Sequence, residues 1–261
     1  MPFMPRRSAR TGAASTSTLA LFLAGVGLLI ASGCSVDSVS GTGTPGVATA
    51  DVVEVPLPSI GFGSDTELGS SAQSVDLTSV ERAVMVGDSI TVGSTPFLVE
   101  YFAAAGLPVE IGAQEGKRIN VSSATNPSGT RVAAELAAAA ASDGSSQDEL
   151  WVVALGTNDI GQYADQADVE AAIRELLAVV PADAPLVWIN TWFRDRPEFT
   201  VEVNAAIETV MTERGNAAIG DWASVASTEG VLRTDGVHPN DIGAKVFADL
   251  VVATTSGFLQ R

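Results

Sequence analysis

From Val80 onward the sequence alternates short, unbroken apolar runs with longer segments whose apolar residues recur at helical spacing, and this alternation narrows the fold more than any other feature. The runs fall at 83–87 (AVMVG), 109–113 (VEIGA), 150–156 (LWVVALG), 186–192 (LVWINTW) and 217–222 (AAIGDW). A strand that is apolar at nearly every position is covered on both faces, the condition of a strand in a parallel sheet. Helices are predicted between and after the runs at 94–105, 129–142, 167–180, 200–214 and 241–257. In the third, Val169, Ile173, Leu176, Leu177 and Val180 form the stripe of a helix laid on a sheet, and Ile242, Val246, Phe247, Leu250 and Val251 repeat it in the last. Alternation of this kind predicts one α/β domain over residues 80–261, built on a parallel sheet of about five strands covered on both sides. An apolar fraction of 46% supplies enough core for it.

The first 79 residues have a different texture. Arg6, Arg7 and Arg10 precede an apolar or small run at 19–30, the layout of a secretory signal, and the run is shorter than the roughly 20 residues a spanning helix needs. It ends in LLIASGC, which resembles the bacterial lipoprotein signal: Ser32 and Gly33 stand before Cys34. The resemblance implies a signal peptide over 1–33, lipidation of Cys34, and a chain held outside the cytoplasm by a lipid anchor on the bacterial cell membrane. Cys34 is the sole cysteine, so neither an intrachain disulfide nor a cysteine-based zinc site is possible. Residues 34–79 are rich in Ser, Gly and Thr, carry prolines at 45, 56 and 58, and are predicted to be a flexible tether. The glycines of GFGSDTELG, at 61, 63 and 69, miss the spacing of a dinucleotide loop. A net charge of −17, with only 14 Lys and Arg, excludes a nucleic-acid binder.

In parallel α/β folds ligands gather at the carboxyl ends of the strands, so the residues just after each apolar run are the informative ones. These are Gly87, Asp88 and Ser89 after the first, QEGKR with Gly116 after the second, and GTND with Asn158 and Asp159 after the third. After the fifth comes TDGVHPN, with His238 as the only histidine of the chain. A serine hydroxyl needs a base that titrates near neutrality, and imidazole is that base. Asp235 reaches the other ring nitrogen if Gly236 and Val237 form a tight turn, and so fixes the tautomer. Pro239 drives His238 toward extended backbone and starts the next helix without needing a donor. An oxyanion formed at an acyl carbon needs fixed donors, and the backbone N–H groups of Ser89 and Gly116 with the Asn158 amide are the candidates. Gly112, close by, competes with Gly116 for its place.

Ser89 in GDSIT, Gly116, Asn158 in GTND and His238 in DGVH stand in the order of the four motif blocks of the SGNH (GDSL-type) hydrolase superfamily, which the chain resembles over roughly residues 81–258. The leucine that often follows GDS in that family is Ile90 here. The resemblance implies a three-layer α/β/α sandwich, a Ser89/His238/Asp235 triad acting through an acyl-enzyme, and neither a metal nor an organic cofactor. A finer similarity, in INTW (189–192), Asn204, GDW (220–222) and DGVHPN, is to the extracytoplasmic SGNH domains of bacterial polysaccharide and peptidoglycan O-acetyltransferases. It implies a small acyl ester or an acylated cell-envelope glycan as substrate, with hydrolysis and transfer both open. The membrane-spanning acyltransferase part of those enzymes is not in this sequence.

Plainer roles stand beside these. Ser89 is also a residue type that caps helices, Asp88 is expected to brace the turn ahead of it, and Asp159 is expected to cap the chain entering the next segment. Trp192 and Arg194 are candidates to line the substrate cleft, whereas Trp151, Trp188 and Trp222 are expected to pack in the core. The rival function is a catalytically idle envelope lipoprotein that uses the same fold to bind carbohydrate. A full set of nucleophile, base and orienting acid argues against it.

Overall fold

The structure is a computed structural model that describes residues 80–144 and 149–260. The expected signal peptide, Cys34 and the tether lie outside the described residues. Five strands, β1 (Arg82–Gly87), β2 (Val109–Ala113), β3 (Glu149–Ala154), β4 (Leu186–Ile189) and β5 (Ala217–Gly220), form one sheet in the order β2-β1-β3-β4-β5, and every neighbouring pair is parallel. Helices α1 (Ser89–Ala104), α2 (Gly129–Asp143), α3 (Gln166–Leu177), α4 (Pro197–Arg214), α5 (Trp222–Ala226) and α6 (Asp241–Leu259) flank it.

Strand side chains alternate between two cores, as the period of two requires. Val84, Val86, Trp151, Val153, Leu186 and Trp188 pack under α2, α3 and α4. Ala83, Met85, Leu150, Val152, Val187 and Ile189 pack under α1, α5 and α6. The three-layer α/β/α sandwich on a parallel sheet is therefore present, and Trp151, Trp188 and Trp222 are fully buried as expected. Helix α6 has the length and apolarity of a membrane span, but its Ala248 and Val251 are fully buried against the sheet.

The differences from the sequence expectation lie at the element ends. Helix α1 begins at Ser89 rather than at 94, because Asp88 caps it: its Oδ1 accepts from the Ile90 N–H at 3.0 Å. Gly93 and Pro96 are then carried inside the helix on its exposed side. Strand β4 stops at Ile189, where Asn190 and Thr191 turn their polar groups to other partners, and β5 stops at Gly220, where Asp221 caps the short α5 through the Ser224 N–H. After β1 the chain runs outward to β2 and then crosses back to β3 on the other side, so the order reverses between β1 and β3. A crevice opens at such a reversal, beyond the carboxyl ends of those two strands.

Candidate active site

Ser89 stands in that crevice as the first residue of α1, directly after β1 and its cap. The β1–α1 passage is tight: a Cβ on Gly87 would stand 2.0 Å from Thr91 Oγ1, so glycine is needed there. Opposite Ser89, residues 231–240 fold into a small hairpin. Leu232 and Pro239 form an antiparallel bridge, flanked by the bonds from Arg233 N–H to the His238 carbonyl (2.8 Å) and from Asn240 N–H to the Val231 carbonyl (3.1 Å). At its tip Gly236 has φ +72° and donates to the Arg233 carbonyl at 3.1 Å. Asp235 Oδ1 accepts from the N–H groups of Val237 and His238, both at 2.9 Å, which leaves Oδ2 for His238 Nδ1 at 3.0 Å. With Nδ1–H donated to that carboxylate, Nε2 carries its lone pair toward the Ser89 hydroxyl, 3.0 Å away. Desolvation works against the Asp235 charge, but the two backbone N–H groups and the imidazole outweigh it and hold the carboxyl down at about 2.

The second bank is built by the loop after β2 and the 3-10 turn Thr157–Asp159 after β3. Gly116 has φ +69°, the left-handed region that a side chain disfavours. Ser89, at the first helical position, has a backbone N–H with no intrahelical acceptor. The Asn158 amide nitrogen donates to the Lys117 carbonyl at 3.1 Å and to Asp88 Oδ2 at 3.3 Å. Both neighbours are acceptors, so they fix the amide with its N–H2 rather than its oxygen inward. Asp88 does brace its turn, and it also reaches Asn158. Burial pushes its carboxyl up to about 7, with the Ile90 N–H opposing and the Asp159 charge adding. A carboxyl whose charge is disfavoured by burial holds the amide less firmly than an ordinary carboxylate would.

Asp159 does not cap its own segment, contrary to expectation. Its fully buried side chain crosses to the loop after β2: Oδ2 accepts from the Ile119 N–H at 3.1 Å, and Oδ1 from Arg118 Nε at 3.2 Å and the Tyr163 hydroxyl at 3.1 Å. Burial raises its pKa, and Ile119 and Arg118 pull it back. The clasp ties the turn carrying Asn158 to the loop carrying Gly116. No local pattern in the sequence signals it, because the Ile119 and Arg118 ends of the clasp lie 40 and 41 residues from Asp159 along the chain. Within the loop itself, the buried Lys117 ammonium donates to the Pro127 carbonyl at 2.8 Å.

These banks enclose a cavity of about 470 Å³ that Ser89, Gly116, Asn158 and His238 all line. Val92, Phe97, Pro239 and Ala244 give it an apolar wall, and Glu115, Arg233, Asn240 and Asp241 a polar one. Trp192 and Arg194 do not line it. Trp192 packs at the edge of the core under α1, α5 and α6. Arg194 is drawn away to the hairpin tip, where its Nη2 meets the Thr234 carbonyl at 2.5 Å and its N–H the Gly236 carbonyl at 3.1 Å. The arginine of the cavity is Arg233, which directly precedes the TDGVHPN block. Asn204 closes both main-chain groups of Thr191, at 3.0 and 2.9 Å, and the Thr191 hydroxyl meets that of Thr157 at 2.6 Å. Asn190 holds Asp221 Oδ1 at 2.9 Å, so these motif residues are braces for the site's turns.

A sequence profile of the GDSL-like Lipase/Acylhydrolase family matches residues 85–246. No curated protein matches the sequence. Among solved structures, a similar fold occurs in the C-terminal catalytic domain of peptidoglycan O-acetyltransferase A from Streptococcus pneumoniae, solved with a methylsulfonyl adduct. That match has a TM-score of 0.52 and 16% identity, and covers 69% of this chain and 96% of that one. The psychrotrophic esterase EstA from Pseudoalteromonas sp. matches with a TM-score of 0.54 and 11% identity over 69% of this chain and 100% of that one. A carbohydrate acetylesterase family member from Sinorhizobium meliloti matches with a TM-score of 0.50 and 16% identity over 69% and 100%.

Proposed function

The chain belongs to the GDSL-like lipase/acylhydrolase family, and from that membership we propose that it is a serine esterase or acyltransferase that cleaves or transfers small, acetyl-like acyl groups, with a cell-envelope glycan as the esterified alcohol. The observation that carries this reading is the 3.0 Å approach of the Ser89 hydroxyl to the Nε2 of a histidine whose other nitrogen is held by Asp235. Ser89 Oγ attacks the acyl carbon as His238 Nε2 takes its proton. The negative charge that moves onto the acyl oxygen is met by the N–H groups of Ser89 and Gly116 and by the Asn158 amide. The imidazolium, stabilised by Asp235, then gives its proton to the departing alkoxide, leaving the acyl group on Ser89. Water or a sugar hydroxyl, deprotonated in turn by His238, attacks that ester and restores the serine.

A glycan as the alcohol is favoured by the size of the cavity, several times that of an acetyl group and within the range that holds a sugar-sized ligand. Two neighbours of the fold, a carbohydrate acetylesterase family member and a peptidoglycan O-acetyltransferase, point the same way. We place the enzyme outside the cytoplasm on a lipid anchor at Cys34, on the strength of the signal-like sequence alone. Turnover of an activated acetate ester tests the chemistry: Ser89→Ala should lose roughly a thousandfold or more in kcat while melting near the parent temperature. Equal turnover by the two would refute the assignment and favour a carbohydrate-binding protein. Cell fractionation tests the anchor, since Cys34→Ala should leave the membrane fraction.

A further inference from the structure

Arg233 lines the catalytic cavity with an unpaired charge. Every other described lysine and arginine holds a carboxylate, a backbone carbonyl or an aromatic ring. Among the described residues, the Arg233 side chain alone has no such partner, in a chain with 31 acids to 14 bases. Glu115 and Asp241, the acids of the same cavity, form no ion pair with it. Pairing an exposed arginine is easy in so acidic a protein.

Its backbone is placed with care. Arg233 and His238 face each other across the hairpin, joined by the 2.8 Å bond from the Arg233 N–H to the His238 carbonyl next to the Leu232 and Pro239 bridge. Residues directly opposite in an antiparallel pair project to the same face, with Cα atoms about 5.5 Å apart. His238 points to Ser89, so Arg233 rises beside it into the same cavity. A guanidinium on a stem this close to the catalytic ring reaches a group about one sugar ring away from the ester under attack. Its planar fork fits a carboxylate through two parallel N–H bonds. A net charge of −17 repels anionic molecules at a distance, so an anionic substrate requires a local cation of this kind.

We propose that Arg233 selects acyl esters of sugars that bear a carboxylate, binding that carboxylate while Ser89 attacks the ester. This rests on the serine-esterase reading and narrows its substrate class. The test compares kcat/KM for the acetyl ester of a methyl uronide with that of the matching neutral methyl glycoside. The parent should favour the uronide roughly ten- to a hundredfold. Arg233→Gln should bring the ratio near one, through KM, and Arg233→Glu should reverse it. No preference in the parent, or a ratio unmoved by Arg233→Gln, overturns the proposal, as does a stronger preference for a sugar phosphate of the same size. Because a ratio is read, general damage to the fold cancels. Calorimetric binding of the deacetylated uronide and glycoside to Ser89→Ala separates this proposal from the parent reading: if no ester is turned over, selective uronide binding that Arg233→Gln removes still upholds the Arg233 assignment, and its absence defeats it.

Discussion

Asp88 and Asp235 are both carboxyls of the candidate active-site crevice, and their surroundings push them in opposite directions. Asp235 stays ionised because two backbone N–H groups and an imidazole meet it, and its folded value of about 2 lies below the ordinary 3.8. Its contribution to stability is present above pH 4 and is lost as pH falls toward 2. Asp88 is buried, and its folded value of about 7 lies above 3.8. Between those values the folded state holds a proton that the unfolded chain has released, so stability falls as pH rises from about 4 to 7 and levels off above. Asp88→Asn keeps the cap on Ile90 and has no proton to lose. Melting temperatures of parent and variant, taken from pH 4 to 8, should diverge across that window and run parallel above it. Parallel curves throughout would contradict the assignment. At this scale the contacts of His238 with Ser89 and Asp235 were legible, because it is the only histidine and an imidazole base would need a hydroxyl on one side and a carboxylate on the other. The place of Arg233 in the cavity and the burial of Asp88 were not, because a lining position and a burial are set by tertiary packing that adjacent letters do not encode.

The elements that hold the proposed oxyanion donors are a loop and a 3-10 turn, neither rigid by itself. Their spacing is set by the Asp159 clasp to Arg118 and Ile119. Asp159→Ala strands a partly buried guanidinium and a buried N–H, which should cost about 3–5 kcal/mol of stability and lower kcat far more than KM. Urea unfolding and steady-state kinetics read the two effects, and an unchanged kcat in the folded variant would show that the donors do not depend on the clasp. Strands were readable as unbroken apolar runs, and long helices because a period of 3.6 repeats over several turns. Helix α5 (Trp222–Ala226), at five residues, is too short to show a period, and α1 starts early because a cap outweighs the glycine and proline that follow. The braces from Asn204 to Thr191 and from Asn190 to Asp221 explain why polar residues sit in the INTW and GDW stretches without touching the cavity.

Over the whole molecule, the reversal of strand order between β1 and β3 brings together groups from opposite ends of the domain, with Ser89 and His238 separated by 149 residues. The alternation of strands and helices sets the sheet edge where they meet, the sole histidine and the motif order single out the partners, and the proposed activity depends on that meeting. The rate at which an aryl fluorophosphonate modifies the protein, followed by intact mass and peptide mapping, tests it most directly. One adduct per chain, on Ser89, formed on the order of a hundredfold or more slower in His238→Ala, is the expected result. An adduct elsewhere, or Ser89 labelled as fast without His238 as with it, would contradict the claim that this imidazole activates this hydroxyl.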